Sequence, residues 1–309
     1  MNVEKEKLKQ KLKGVIALLV TPFNKDLEVD FEGLRQNVSY LIEKGVSGLI
    51  PNGSTGEFAS LTLEEQKKVI KTVVDEANGK ALVIPGVSHT CFKVTLELAK
   101  YAENVGADAV MIVPPYYFVG SDEGIYQYYK TISENINIGI MIYNNPHTSK
   151  ICLSIDLLSR LSELENVVAL KEVSGNTKYF ISVIEALRNK IAVIPTAESP
   201  QTILGYMYGA QPALITLEVN PQASRKFLEK AAIERNYEEA RAIYESDFKL
   251  FNNLYERLMA KGIPGYIPYA KAALDILGRC GGRVRPPLTD LTISQRQELE
   301  NVLRKIGWL

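Results

Sequence analysis

Eight short apolar runs recur through the first two thirds of the chain, and longer amphipathic stretches separate them. None alternates apolar with polar residues, as a strand with one solvated face would, so the runs predict strands buried on both faces of a parallel sheet. Successive runs begin about 28 residues apart, which fits the strand-plus-helix repeat of a (β/α)8 TIM barrel. The predicted strands span residues 15–20, 46–51, 81–86, 108–113, 138–143, 167–171, 191–195 and 212–216.

A doubly wound open sheet is the alternative α/β arrangement for this pattern. It would usually carry a glycine-rich phosphate turn after the first strand, whereas residues 20–23 read Val-Thr-Pro-Phe. We therefore predict an α/β fold in which residues 1–233 form the TIM barrel. Residues 234–309 show only helical patterns and predict a C-terminal helical extension packed on the barrel. We expect the long helical stretch 237–261 to be a packed, partly solvated face without a binding role.

Composition and charge exclude several classes of function. Lys and Arg together number 36, as do Asp and Glu, so the chain lacks the basic excess of a nucleic-acid-binding protein. No apolar stretch is long enough to cross a bilayer. The three cysteines and two histidines are scattered, without the spacing of a disulfide framework or of metal ligands. We expect a cytoplasmic protein that uses no metal, with groups other than histidine doing most of the proton transfer.

In a TIM barrel the active site lies at the C-terminal ends of the strands, which narrows the search for catalytic residues. Lys171 ends the sixth predicted strand, directly after the apolar residues 167–170. In a walled, partly apolar mouth, desolvation lowers the pKa of an ammonium, and the neutral amine is a nucleophile towards carbonyls. The alternative is a lysine that extends to solvent or pairs with a carboxylate, and Lys171 taken alone favours that alternative.

Tyr143 changes this balance because it ends the preceding strand, which places it beside Lys171. A phenol there can carry protons to and from the intermediates of imine formation, although an aromatic side chain can also simply cap a barrel.

Ser54 and Thr55 lie in a glycine-flanked turn after the second strand. Their hydroxyl and backbone N–H groups suit a carboxylate or a proton relay, and the alternative is a purely structural turn. His147 follows Tyr143 closely and is a further candidate for the pocket.

Taken together, these segments resemble the dihydrodipicolinate synthase / N-acetylneuraminate lyase family of Schiff-base-forming aldolases and lyases. One such motif would be weak support, but several in the same order and spacing over the whole length are strong support. The resemblance implies a TIM barrel with a helical tail, lyase activity and no cofactor, since a protonated imine is itself the electron sink. The matching segments are residues 17–23, 53–57, 115–117, 143–146, 171–175 and 282–288.

The resemblance also implies a role for individual residues. Lys171 would form the Schiff base with a 2-oxo acid, and Tyr143 would be the proton shuttle. Ser54 and Thr55 would bind the carboxylate of the 2-oxo acid, with one hydroxyl extending the relay. Ile215, on the eighth strand, would lie beside the pyruvyl group.

A quaternary arrangement follows from the same resemblance. Tyr117 matches the tyrosine that, in the synthase branch, reaches across a tight dimer interface into the active site of the neighbouring subunit. Family members are commonly tetramers made of two such dimers. The resemblance therefore implies a homotetramer whose partner for catalysis is a second copy of the chain.

Two departures from the synthase branch concern the second substrate. In that branch an arginine two residues past the proline of the Tyr-Asn-x-Pro motif holds the carboxylate of the aldehyde. Here Thr148 occupies that position, next to His147, and threonine cannot form the bidentate contact of an arginine. After the seventh strand, residues 196–199, which include Glu198, replace a Gly-Asp-Asp-like segment. Both differences predict a distal pocket that recognises something other than aspartate semialdehyde.

Three functions remain open from the sequence. The first is a class I lyase that acts through a Lys171 imine of pyruvate or a 2-keto-3-deoxy sugar acid, by aldol cleavage, condensation or dehydration. The second is dihydrodipicolinate synthase activity, 4-hydroxy-tetrahydrodipicolinate being formed from pyruvate and aspartate semialdehyde despite Thr148. The third is a non-catalytic sensor of 2-oxo acids or sugar acids. The combination of Lys171, Tyr143, Ser54 and Thr55 favours an enzyme, because a sensor has no need of a nucleophilic amine.

Overall fold

A strand lies at each of the predicted apolar runs. The computed structural model describes residues 3–263 and 265–309, and within these ranges the parallel strands number eight. Those on both sides of the candidate site, at residues 139–144 and 167–172, are buried at every position, as expected for a sheet covered on both faces. The strands are β1 (Gly14–Leu18), β2 (Gly48–Ile50), β3 (Leu82–Val83), β4 (Ala109–Ile112), β5 (Gly139–Asn144), β6 (Val167–Glu172), β7 (Ala192–Ile194) and β8 (Ala213–Leu217).

The strands close into a barrel. Continuous pairing gives two sets with the orders β3-β2-β1-β8 and β4-β5-β6-β7. Parallel bridges join the sets at both seams, Gly86 with Met111 and Thr196 with Ile215. At the first seam the backbone N–H of Met111 donates to the carbonyl of Pro85 at 2.8 Å. The TIM-barrel prediction is therefore confirmed, and the open-sheet alternative is wrong.

Helices cover the barrel from outside, and capping residues fix where they begin. For example, Thr62 and Glu65 form a capping box, in which each side chain accepts a hydrogen bond from the other's backbone N–H. The barrel helices are α1 (Val3–Lys11), α2 (Phe31–Glu43), α3 (Leu63–Ala77), α4 (Phe92–Asn104), α5 (Asp122–Ser133), α6 (Pro146–Ser149), α7 (Ile155–Ser162), α8 (Thr177–Leu187), α9 (Pro200–Met207) and α10 (Pro221–Leu228).

The N-terminal end of the barrel is closed by α1 and the residues after it. Leu12 is fully buried and packs with Ile16 and the other side chains that fill the barrel interior. Its carbonyl accepts a hydrogen bond from the Gln211 side chain at 2.8 Å. The opposite end, where the strands terminate, is left for the active site.

The predicted C-terminal helical extension is present, and it packs over that opposite end. Val20 and Val219, at the ends of β1 and β8, share a core with Phe251, Tyr269 and Leu303 of the extension. Within the described ranges, no helix of the barrel or extension is long and apolar enough to span a membrane. The helices of the extension are α11 (Tyr237–Ile243), α12 (Lys249–Ala260), α13 (Tyr266–Ile276) and α14 (Ile293–Lys305), with a π-helical turn over Tyr244–Phe248 between the first two.

Candidate active site

Lys171 and Tyr143 lie side by side at the C-terminal ends of β6 and β5. The two residues are direct partners in the parallel register, so the predicted adjacency is confirmed. The Nζ atom of Lys171 lies 4.0 Å from the centre of the Tyr143 ring. Only 3% of Lys171 is exposed, so the amine has lost most of its hydration.

The surroundings of Lys171 favour its neutral form. Burial lowers the pKa of this amine, and the contact with Tyr143 opposes that effect in part. Within the described part of the chain, no carboxylate contributes to holding the ammonium form. A desolvated amine without a counter-ion deprotonates more readily than an exposed one and is a better nucleophile.

The neighbouring carboxylate does not neutralise Lys171 because it points the other way. Side chains alternate along a strand, and Glu172 follows Lys171 directly. The Glu172 carboxylate accepts hydrogen bonds from the Asn144 side chain and from the backbone N–H of Ser174, both at 2.6 Å. Burial raises the pKa of Glu172, and these two donors counteract the rise.

Asn145, which the sequence did not single out, holds the Tyr143 phenol. Its side-chain amide donates to the Tyr143 hydroxyl oxygen at 2.8 Å and to the Thr148 hydroxyl at 3.0 Å. Because the phenol oxygen accepts this bond, the phenol's own proton is free to be donated elsewhere. The only sequence signal was the position of Asn145 between Tyr143 and a proline, in the Tyr-Asn-x-Pro motif.

A cavity of about 610 Å³ opens above Lys171. Strand ends supply its floor, and the loops after β5 supply one wall. The sequence-predicted residues that line it are Ser54, Tyr143, His147, Thr148, Lys171 and Ile215.

Thr55 lies just behind the cavity, with 1% of its surface exposed. Its turn is closed by the backbone N–H of Gly56, which donates to the carbonyl of Gly53 at 3.0 Å. The Thr55 hydroxyl lies 3.1 Å from the hydroxyl of Tyr266, a residue at the start of α13. The turn after β2 therefore meets the C-terminal extension at the active site.

The structure does not bring Tyr117 or Glu198 into this cavity. Tyr117 lies in the loop after β4 with 77% of its surface exposed, beside the equally prominent Phe118. Glu198 is buried, and its carboxylate accepts a hydrogen bond from the Thr216 hydroxyl at 3.0 Å. Burial raises the pKa of Glu198, and the hydrogen bond from Thr216 opposes that rise.

Residues 237–261 were expected to be only a packed, partly solvated face, and the structure also places part of this stretch at the cavity. Phe251, Asn252, Tyr255 and Met259 of α12 line the cavity from above. Amphipathic periodicity shows that one face of this helix is buried, but it cannot show that the buried face covers the barrel mouth. With Tyr266 and Tyr269 of α13, these residues make an aromatic roof over the strand ends.

The cavity wall around Thr148 carries no aspartate or glutamate among the described residues that line it. Among these described residues, Lys171 is the only lysine or arginine. Thr148 accepts the bond from Asn145, and the exposed Lys150 donates to the carbonyl of His147 at 3.1 Å. Lys150 therefore does not take the place of the arginine that the synthase branch has where this chain has Thr148.

The chain is similar to known proteins over almost all of its length. Residues 11–306 match the model of the dihydrodipicolinate synthetase family. The 4-hydroxy-tetrahydrodipicolinate synthase of Methanocaldococcus jannaschii is 35% identical over 96% of this chain and 99% of its own. The enzyme of that name from Chloroherpeton thalassium is 36% identical over 97% of each chain. A crystal structure of dihydrodipicolinate synthase from Acinetobacter baumannii, complexed with pyruvate, is 30% identical, with a TM-score of 0.86 over 96% of this chain and 100% of the other.

Proposed function

Because the chain belongs to the dihydrodipicolinate synthetase family and is a lyase of that type, we propose that it binds pyruvate or a related 2-oxo acid as an imine on Lys171. The observation that carries this proposal is the buried Lys171 amine, which has a phenol beside it and no carboxylate partner among the described residues. An amine with these surroundings has little structural use in a barrel mouth. It suits nucleophilic attack on a carbonyl.

The proposed reaction begins when the neutral Nζ of Lys171 attacks the keto carbon of the 2-oxo acid. The carbonyl oxygen takes up protons, one of them through Tyr143, and leaves as water, so that a protonated imine forms. Loss of a proton from the adjacent carbon gives an enamine, which attacks an aldehyde to form a carbon–carbon bond. Water then hydrolyses the imine and frees Lys171. Run in reverse, the same steps cleave an aldol, and loss of a hydroxyl from the enamine would be a dehydration.

For the second substrate, we propose aspartate semialdehyde as the first candidate. The support comes from the relatives named 4-hydroxy-tetrahydrodipicolinate synthase, which the chain matches from end to end. The cavity wall around Thr148, whose described residues include no arginine, supports a second candidate, a 2-keto-3-deoxy sugar acid. The hydroxyl of Thr148 and the imidazole of His147 can hydrogen-bond sugar hydroxyls, whereas a carboxylate there would lack an arginine.

Exchange of the methyl protons of pyruvate in deuterated water tests the imine step without any second substrate. The enamine takes up deuterium when it returns to the imine, so we expect pyruvate-dependent exchange by the wild-type protein, followed by NMR. A sensor that binds pyruvate without forming an imine would give no exchange above that of buffer. That result would overturn the proposal.

The second substrate is tested by pairing wild type with the Thr148→Arg variant. Wild type is assayed with pyruvate plus aspartate semialdehyde, and with a panel of 2-keto-3-deoxy sugar acids. If the semialdehyde is the substrate, Thr148→Arg should lower its KM by about tenfold or more, the value of one charge-assisted contact. Exchange-competent protein that turns over only sugar acids, and loses that activity in Thr148→Arg, would support the second candidate instead.

We further propose a homotetramer in the cytoplasm, with residues 1–233 as the catalytic barrel and residues 234–309 as its roof. The exposed aromatic cluster of Tyr117 and Phe118 supports a contact with a second copy, in which Tyr117 reaches the neighbouring active site. Sedimentation analysis of wild type and of Tyr117→Ala/Phe118→Ala tests the assembly. We expect wild type to be a tetramer and the double variant to dissociate into smaller species, and a monomeric or dimeric wild type would contradict this proposal.

A further inference from the structure

Tyr266 of the C-terminal extension reaches the turn that follows β2. Its side chain lines the cavity above Lys171, and its hydroxyl lies 3.1 Å from the Thr55 hydroxyl. The two residues are 211 positions apart in the sequence. The extension thus brings a polar group, as well as apolar cover, to the active site.

Two features hold Tyr266 against this turn. Gly265 has φ +114° and ψ −178°, a conformation that favours glycine, and α13 begins at the next residue. Further along α13, Lys271 forms an ion pair of 2.5 Å with Glu57, and the side chains of both are 1% exposed. Glu57 follows Thr55 by two residues, so the same turn and the same helix are joined twice. The hydroxyl contact is therefore part of a fixed junction.

Tyr266 acts as a hydrogen-bonding hydroxyl and not as a base. Burial raises its pKa above the ordinary value, and the neighbouring Tyr143 raises it further. At neutral pH both Tyr266 and Thr55 therefore carry a proton. When two hydroxyls share one hydrogen bond, the second proton of the pair remains available for another acceptor.

We propose that Tyr266 is a positioning residue for the 2-oxo acid carboxylate, acting through Thr55. By holding the Thr55 hydroxyl, it fixes the direction in which the pair presents its free proton to the carboxylate. This inference rests on the proposed function, in which a 2-oxo acid occupies the cavity. The C-terminal extension would then take part in recognising the substrate that binds in the barrel of the same chain.

Borohydride inactivation at varied pyruvate concentration tests the inference, since reduction of the imine is irreversible. In Tyr266→Phe we expect the half-saturating pyruvate concentration to rise about tenfold, because a hydrogen bond to a charged group is weakened. The maximal inactivation rate should stay near that of wild type, because Lys171 and Tyr143 are untouched. The matched control is Tyr237→Phe, at a tyrosine of the extension that starts α11 and does not line the cavity, which should change neither quantity by more than about twofold.

Acetone, a ketone without a carboxylate, separates positioning from general damage. Tyr266→Phe should inactivate with acetone and borohydride as wild type does. A second variant, Thr55→Val, should weaken pyruvate binding, and adding Tyr266→Phe to it should cause little further loss, because the two residues act as one unit. The same comparison applies if Tyr266→Phe folds poorly. Thr55→Val must then weaken the binding of pyruvate but not the binding of acetone.

The outcomes are distinct. Unchanged half-saturation by pyruvate in Tyr266→Phe, or equal weakening of pyruvate and acetone, would overturn the role of Tyr266 while leaving the imine proposal intact. Absence of pyruvate-dependent inactivation in wild type would overturn the proposed function itself, and the inference with it.

Discussion

Lys171 and Lys271 are the two lysines that the described part of the chain buries, with 3% and 1% of their surfaces exposed. Lys271 lies at the junction of α13 with the barrel, where it contacts the Glu57 carboxylate at 2.5 Å and the carbonyl of Arg283 at 2.6 Å. Lys171 lies in the barrel mouth beside the ring of Tyr143. Burial lowers the pKa of both amines, but only at Lys271 does a carboxylate counteract it.

The difference between the two sites shows that burial alone does not make a lysine reactive. At Lys271 the fold supplies an acceptor for the charge, so the ammonium joins the extension to the barrel. At Lys171 the fold supplies a proton-transfer group in place of a counter-ion. A buried amine of this second kind is unfavourable for stability, which is typical of functional sites.

Replacing Lys171 should have the largest effect on activity. Lys171→Met removes the nucleophile, so we expect pyruvate deuterium exchange to fall at least about 10⁴-fold, to background. Because the lost amine had no carboxylate partner, the melting temperature should be no lower than that of wild type. The control Lys150→Met alters an exposed lysine near the same mouth and should keep both properties. Exchange that survives in Lys171→Met would show that Lys171 is not the nucleophile.

Replacing Lys271 should instead have its main effect on stability. Lys271→Met removes the ion-pair partner of the buried Glu57 carboxylate, which keeps the hydrogen bond from the backbone N–H of Arg285, and we expect a loss of about 3–5 kcal/mol in the free energy of unfolding by urea. Adding Glu57→Gln should restore part of that loss. The exposed pair of Lys71 and Asp75 is the control, and Lys71→Met should cost about 1 kcal/mol or less. If Lys271→Met were as stable as wild type, the junction would not depend on this pair.

Tyr143→Phe tests whether the hydroxyl beside Lys171 transfers protons. The variant keeps the ring over the amine but loses the hydroxyl, so proton transfer during imine formation should slow by about 10²-fold. Deuterium exchange at saturating pyruvate measures this loss. An exchange rate within twofold of wild type would mean that another group moves the proton.

The pH dependence of activity and stability should show the lowered pKa of Lys171, as a smaller effect. The folded pKa of Lys171 lies below its ordinary value of 10.5, so the neutral fraction rises with pH through that lower value. The rate of pyruvate-dependent inactivation should therefore reach its plateau below pH 10.5. Between the two pKa values the unfolded state binds more protons, so this group makes the free energy of unfolding increase with pH, by at most about 1.4 kcal/mol per unit.

Lys171→Met provides the control for that stability effect. Lys171 costs the folded wild-type protein no stability above pH 10.5, where the amine is neutral in both states. The cost appears as the pH falls below 10.5 and is complete once the pH has fallen through the folded pKa. The unfolding free energy of wild type minus that of Lys171→Met should accordingly increase with pH, so that any stability advantage of the variant shrinks as the pH rises. A constant difference would show that the folded pKa is not lowered.

The barrel and its floor were predictable from the sequence, whereas the roof was not. Apolar periodicity indicates buried parallel strands, and one strand step of separation places Tyr143 beside Lys171. The Tyr266–Thr55 and Lys271–Glu57 contacts join segments more than half the chain apart, which periodicity cannot pair. The roles inferred for Tyr117 and Glu198 stay predictions, because Tyr117 is exposed outside the cavity and Glu198 is turned towards Thr216.

Mapping the site of borohydride trapping shows directly which lysine forms the imine. Wild-type protein is reduced in the presence of pyruvate, digested and examined by mass spectrometry, with the peptides that contain Lys171 and Lys271 quantified in one sample. We predict a single reduced pyruvyl group per chain, on Lys171, with Lys271 unmodified and no adduct in Lys171→Met. An adduct on another lysine that persists in Lys171→Met, or no adduct at saturating pyruvate, would contradict the account.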